Sequence, residues 1–146
     1  GLFELAFPEI VNYVDATFNT IPDKAHRAIA GLSMGGMHTL MITANYPDMF
    51  NYIGLYSSGV DFTLIEKGEV PAYANFDGKL AKLAQTNPKL YWIACGSADG
   101  LMPANKQLME RMTKNGLKYT FHESSRGHLW SNWRQYSLMF IPQLFK

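Results

Sequence analysis

The pattern of apolar and polar positions divides the chain into alternating elements. Leu5, Ile10, Val11, Val14 and Phe18 recur at nearly helical spacing, predicting a helix within Phe3–Phe18. Pro8 argues for its start nearby, and the run Asn19 to Asp23 reads as the break after it. Ala25–Leu32 reads as a first strand. Met37–Tyr46 follows as a helix with Leu40, Met41 and Ala44 on one face, stopped at Pro47. Tyr52–Ser57 is a second strand. Residues 60–75 show no clean period and read as an irregular excursion over one end of a sheet. Gly78–Gln85 suits a short helix, halted at Pro88. Leu90–Cys95 is a continuous apolar run, as expected of a strand buried on both faces. Leu101–Asn115 reads as a helix with Leu101, Leu108, Met109 and Met112 inward and Gly116 as its stop. Leu117–Glu123 alternates like a strand, and Trp130–Leu138 reads as a final helix ended before Pro142.

Strands alternating with helices predict an α/β fold with right-handed crossovers and about four parallel strands flanked by helices. With 146 residues, the chain is expected to form a single domain. Apolar residues make up 47% and charged residues 17%, which suits a packed core. A net charge of +1 with no basic run gives no case for nucleic acid, and no apolar stretch is long enough to cross a bilayer. The single cysteine, Cys95, excludes an internal disulfide and reads as a small buried hydrophobe. Gly1 is not a methionine, so the chain is expected to start within a longer product.

In parallel sheets the reacting groups sit on loops at the carboxyl ends of strands. The first strand runs into Gly31-Leu32-Ser33-Met34-Gly35, which fits Gly-x-Ser-x-Gly between a strand and a helix. In that setting the turn lifts the Ser33 hydroxyl clear of the backbone. It also sets the Met34 amide at a helix N-terminus, where it stabilises a developing oxyanion. Crowding of strand and helix is expected to exclude a Cβ at both Gly31 and Gly35. A serine hydroxyl needs an imidazole to take its proton, and the imidazole needs an anion to fix its tautomer. His128 follows the fourth strand. His26 lies at the wrong end of its strand, His38 on the helix leaving the turn, and His122 within a strand. Asp61 and Asp99 both follow strands; the glycine-flanked loop after a fully buried strand favours Asp99. The order Ser33, Asp99, His128 is then that of α/β-hydrolases. No histidine or cysteine pair has metal-ligand spacing, so neither a metal nor a cofactor is expected.

From about Glu9 to Lys146 the chain resembles the esterase D-type branch of the α/β-hydrolases, and especially carbohydrate esterase family 1, the feruloyl and acetyl-xylan esterases. The resemblance rests on residues 26–36, on Gly96 to Asp99 followed by Ala104-Asn105, and on Gly127-His128-x-Trp130-x-x-Trp133-Arg134. Arg126 departs from the glycine often found there. The resemblance implies a three-layer α/β-hydrolase sandwich, here its C-terminal part. It implies Ser33 as nucleophile, Asp99 as acid, His128 as base and Met34 as an oxyanion amide. The implied substrate is a feruloyl or acetyl ester of a plant polysaccharide, and the implied location is secreted or periplasmic. Phe62, Tyr73, Phe76 and Trp130 are expected to contact substrate, whereas Trp133 and Tyr136 have core spacing. Family members carry further strands ahead of the opening helix, and a loop there supplies a second oxyanion donor. A second chain, a missing segment or a second copy is therefore expected to cover the first strand's edge. A siderophore esterase, a small-thioester hydrolase, an acyltransferase and an inactive fragment are the alternative readings.

Overall fold

The computed structural model describes all 146 residues, Gly1–Lys146. Strands β1 (Ala28–Leu32), β2 (Tyr52–Tyr56), β3 (Leu90–Gly96) and β4 (Thr120–Ser124) form one parallel sheet in sequence order. Ala28 pairs with Tyr52, Tyr52 with Leu90, and Trp92 with Thr120. Each crossover steps one place in the same direction, so right-handedness sends the connecting helices to one face. These are α2 (Met34–Asn45), then α3 (Phe62–Lys67) with α4 (Phe76–Gln85), then α5 (Met102–Lys114). Ile53, Leu55, Tyr91 and Ile93 meet them in the larger core. Side chains alternate across a strand, so Tyr52, Tyr56, Trp92 and Ala94 point the other way. There they meet Trp133, Tyr136 and Phe140 of α6 (Trp130–Phe140). The result is the expected α/β sandwich of three layers. The opening helix α1 (Leu2–Thr17) packs on the larger core through Leu5, Phe7 and Val11. No helix is long and apolar enough to cross a membrane.

The elements differ from the sequence reading where tertiary contacts or caps intervene. Pro8 lies inside α1 rather than at its start. Burial of Leu5 and Phe7, and of Glu4 against His38 Nδ1 at 2.8 Å, holds the first turns helical on both sides of the proline. β1 begins at Ala28 because Lys24–His26 form a 3-10 turn, capped by Asp23 accepting from the His26 amide at 3.0 Å. β4 begins at Thr120 because Leu117 belongs to the end of α5. Gly116 takes φ +76°, its amide donates to Thr113 O at 3.1 Å, and the Leu117 amide donates to Met112 O at 2.9 Å. That pair of bonds closes the helix, and buried Leu117 seals it. Residues 60–75 are not wholly irregular. Asp61 accepts from the Thr63 and Leu64 amides and caps α3, which ends at Gly68 with φ +62°.

Candidate active site

The site is built from the three carboxyl-end loops after β1, β3 and β4. Ser33 follows β1 directly and takes φ 54° and ψ −119°, a conformation that L-residues rarely adopt. Four hydrogen bonds hold it there. Its amide donates to Tyr56 O at 2.9 Å; its carbonyl accepts from Gly36 at 3.0 Å, Met37 at 3.2 Å and Gly59 at 2.8 Å. The turn is tight enough that a Cβ on Gly31 would stand 2.1 Å from Gly35 O. The expectation for Gly35 is not met: a Cβ there meets nothing within 4 Å. The second close approach falls one residue later, where a Cβ on Gly36 would stand 2.9 Å from Ser58 Cα. Met34 opens α2, so its amide belongs to the first turn, where no intrahelical acceptor exists.

The structure brings together Ser33, His128 and Asp99. His128 Nε2 lies 3.0 Å from Ser33 Oγ, and His128 Nδ1 lies 3.0 Å from Asp99 Oδ2 and 3.2 Å from Oδ1. Asp99 is buried, whereas His128 keeps about a third of its side chain exposed toward the opening. Burial pushes the Asp99 pKa up. That effect is outweighed by hydrogen bonds from the Leu101 amide, Ser57 and His128 and by attraction to the imidazole, so the net shift is downward. The carboxylate stays ionised, as an imidazole partner requires. Asp61, its rival in the sequence, is exposed and occupied with capping α3. The other histidines are engaged elsewhere: His26 with Asp23 at 2.7 Å, His38 with Glu4, and His122 stacked on Trp92 at 6.1 Å.

The expected substrate contacts divide. Tyr73 and Phe76 are buried in the larger core, whereas sequence reading places Tyr73 on an irregular excursion over one end of the sheet and Phe76 just past it, both as substrate contacts. Tyr73 is drawn in where residues 70–74 return to α2, Asn45 Nδ2 donating to Ala72 O at 2.9 Å, and Phe76 as the first residue of α4. Phe62 is half-buried against that core, with the Arg111 guanidinium 5.0 Å above its ring. Trp130 alone of the four is open, at 68% exposure. It lines a groove of about 410 Å³ with Gly31, Leu32, Tyr56, Trp133 and Arg134.

Three further residues support the site; one of them, Asn105, belongs to the Ala104-Asn105 pair on which the family resemblance rests. Asn132, which no motif singled out, donates from Nδ2 to Ser125 O and Gly127 O, both at 3.0 Å, and so ties down the histidine loop. Asn105 grips Ser58, accepting from its amide at 3.3 Å and donating to its carbonyl at 3.0 Å. Ser57 stands at the end of β2 and receives the Trp133 indole N–H at 3.2 Å. For Asn132 itself, only the two tryptophans flanking it offered a hint.

Comparison with known proteins points one way. Residues 7–139 match the family model named Esterase. A stretch of 51 residues, 35% of this chain, is 53% identical to part of an endo-1,4-beta-xylanase/feruloyl esterase of Xylanibacter ruminicola, covering 7% of that protein. An acetyl esterase of Caldicellulosiruptor saccharolyticus is 26% identical over 88% of this chain and 58% of its own length. A CE1 ferulic acid esterase from Anaeromyces mucronatus superposes with a TM-score of 0.75 at 21% identity, over 98% of this chain and 53% of that one. An S-formylglutathione hydrolase of Staphylococcus aureus superposes at 0.71 and 21%, over 92% and 59%. Both structures share the fold. The chain spans less than two thirds of the length of these relatives.

Proposed function

The chain belongs to the esterase family, and from that premise we propose that it hydrolyses carboxylic esters through an acyl-enzyme, with Ser33 as nucleophile, His128 as base and Asp99 as acid. The observation that carries this reading is the continuous hydrogen-bonded line from Ser33 Oγ through both nitrogens of His128 to Asp99. His128 Nε2 takes the Ser33 proton as Oγ attacks the ester carbonyl. The carbonyl oxygen becomes an oxyanion facing the Met34 amide. The tetrahedral intermediate collapses, the alkoxide leaves with the proton from His128, and the acyl group stays on Ser33. Water then repeats the sequence with His128 as base and frees the acid. Asp99 keeps Nδ1 as the protonated nitrogen and stabilises the imidazolium, without itself taking the proton.

The proposed substrate is a feruloyl or acetyl ester on a plant cell-wall polysaccharide. The family resemblance and the two curated relatives support it. Trp130, open beside the groove, offers a flat apolar face for an aryl or sugar ring. A polymer that cannot enter a cell fits a secreted or periplasmic setting.

The test is hydrolysis of p-nitrophenyl acetate, methyl ferulate and acetylated xylan, with acid quenching and mass spectrometry of the trapped acyl-enzyme. Acyl mass on the peptide holding Ser33, and loss of both adduct and turnover in Ser33→Ala, are expected. Full turnover in Ser33→Ala, or in His128→Ala, would overturn the mechanism. Turnover of the small ester with neither natural ester cleaved would overturn the substrate and leave the mechanism standing.

A further inference from the structure

The carbonyl of Ser33 and the amide of Met34 are the two ends of one peptide group. Such a group is planar and trans, so its N–H points opposite to its C=O. Whatever holds Ser33 O therefore also aims the Met34 N–H, the donor open to an oxyanion. Three amides donate to Ser33 O. Gly36 and Met37 belong to α2 and move with it, whereas Gly59, at 2.8 Å, comes from the loop after β2. Gly59 also packs on the peptide itself: a Cβ there would stand 3.3 Å from the Ser33 carbonyl carbon and 3.5 Å from Met34 N.

A side chain from a third element fixes that loop. Asn105 lies near the start of α5 and is wholly buried. Its Oδ1 accepts from the Ser58 amide at 3.3 Å, and its Nδ2 donates to the Ser58 carbonyl at 3.0 Å. Both backbone groups of the residue before Gly59 are thus clasped. Nδ2 also donates to Leu101 O at 2.8 Å, and the Leu101 amide donates to Asp99 Oδ1 at 2.9 Å. One side-chain amide therefore stands between the turn that carries the nucleophile and the loop that carries the acid. A carboxylate could donate to neither carbonyl, and a hydroxyl would have one proton for two.

We propose that Asn105 is a positioning residue for acyl transfer: through Ser58 and Gly59 it aims the Met34 amide, and through Leu101 it holds the Asp99 loop in register with the Ser33 turn. The role rests on the reading of Ser33, Asp99 and His128 as the reacting groups. Asn105 touches none of the three and acts only through backbone groups. An oxyanion exists only once the ester has been attacked, so a misaimed donor slows the reaction and spares substrate binding. Small errors in the spacing of nucleophile and acid act the same way, because the near-attack geometry is what suffers.

The experiment compares Asn105→Leu, Asn105→Ser and Met112→Ala with wild type on p-nitrophenyl acetate, each below its thermal transition. Leu has the branched shape of Asn without its polar atoms. Ser is small enough to fold where Leu is not, and it cannot make all three bonds. Met112, buried in the larger core two turns further along α5, reports what a loss of stability alone does. Both Asn105 variants are expected to lower kcat about ten- to a hundredfold with KM within about twofold, and Met112→Ala to keep both within about twofold. Independently of turnover, amide hydrogen exchange followed by NMR reads the clasp. The Gly59 amide should exchange together with those of β3 in wild type and Met112→Ala, and well ahead of them in the Asn105 variants. Wild-type kcat in a folded Asn105 variant, an equal fall in Met112→Ala, or a Gly59 amide that runs well ahead of β3 in wild type would overturn the proposal. Absence of any Ser33-dependent turnover in wild type would instead strike down the acyl-transfer reading and the positioning role with it.

Discussion

Ser33 holds a backbone conformation that costs on the order of 1–3 kcal/mol, and its neighbours must over-determine it. Gly31 does so by absence: its missing Cβ leaves room for Gly35 O. Gly31→Ala is therefore expected to destabilise the fold by about 3 kcal/mol or more, since the clash is with backbone and no side chain can yield. Gly35→Ala, facing open space within a helix, is expected to stay within about 1 kcal/mol of wild type or to gain slightly. Urea denaturation of the two variants checks the contrast; equal losses would show that the turn is not what fixes Gly31. The sequence pattern pointed to both glycines alike, because it records spacing and not which side of the turn is crowded. Asp99 gives a second expectation at this scale. Its pKa is depressed in the fold, so its stabilisation is present above the ordinary value of 3.8 and disappears as pH falls through the folded value. Asp99→Asn should thus lie below wild type in stability near pH 7 and converge with it in strong acid. Its kcat should fall on the order of ten-thousandfold, since an amide there favours the wrong imidazole tautomer. Stability curves of the two proteins across pH, set beside kcat, check both parts.

At the scale of elements, the alternation of apolar runs made the sheet and its crossovers legible, and with them the three loops, after β1, β3 and β4, at which Ser33, Asp99 and His128 meet. One buried strand announces itself: Leu90 to Cys95 is apolar on every residue because β3 is covered on both faces. Element ends were less legible, since they turn on hydrogen bonds made after the chain has folded. Leu117 alternates as if in a strand, yet it seals α5. Tyr73 lies in a stretch without periodicity and Phe76 at the start of α4, and only the packing of that region on α2 decides that they are core. Asn132 was invisible for the opposite reason: an asparagine in a helix usually faces water, and here it sits buried under the loop that carries His128. Asn132→Ala would leave two loop carbonyls without their donor, at a cost of about 1–3 kcal/mol. Faster amide hydrogen exchange over residues 125–129, with kcat reduced and the rest of the sheet as protected as before, is the expected result. Unchanged exchange there would mean that the loop is held by the Ala98 amide on Arg126 O instead.

The two edges of the sheet differ in a way that bears on the whole molecule. β4 carries Thr120, His122, Glu123 and Ser124, and polar side chains suit an edge that faces water. β1 reads Ala-Ile-Ala-Gly-Leu, the composition of an interior strand, yet all five residues keep some exposure. A groove flanks it on either face, one of about 410 Å³ against α6 and one of about 790 Å³ against α1. Ile10, Val14, Phe18 and Ile21 stand exposed nearby. The relatives run well beyond the length matched here. The turn at Ser33 offers one oxyanion donor, the Met34 amide, and lack of a second typically slows acyl transfer about a hundred- to a thousandfold. The 146-residue polypeptide by itself is accordingly expected to self-associate, to bind an apolar dye strongly, and to turn over p-nitrophenyl acetate slowly. Ala30 is the exposed centre of β1, and Ala30→Lys should block edge pairing and return the chain toward monomer in sedimentation experiments. An added strand paired with β1 in the same polypeptide should do the same. A chain that is monomeric, dye-silent and fully active without one would show that β1 is a true outer edge and that the Met34 amide suffices for the oxyanion.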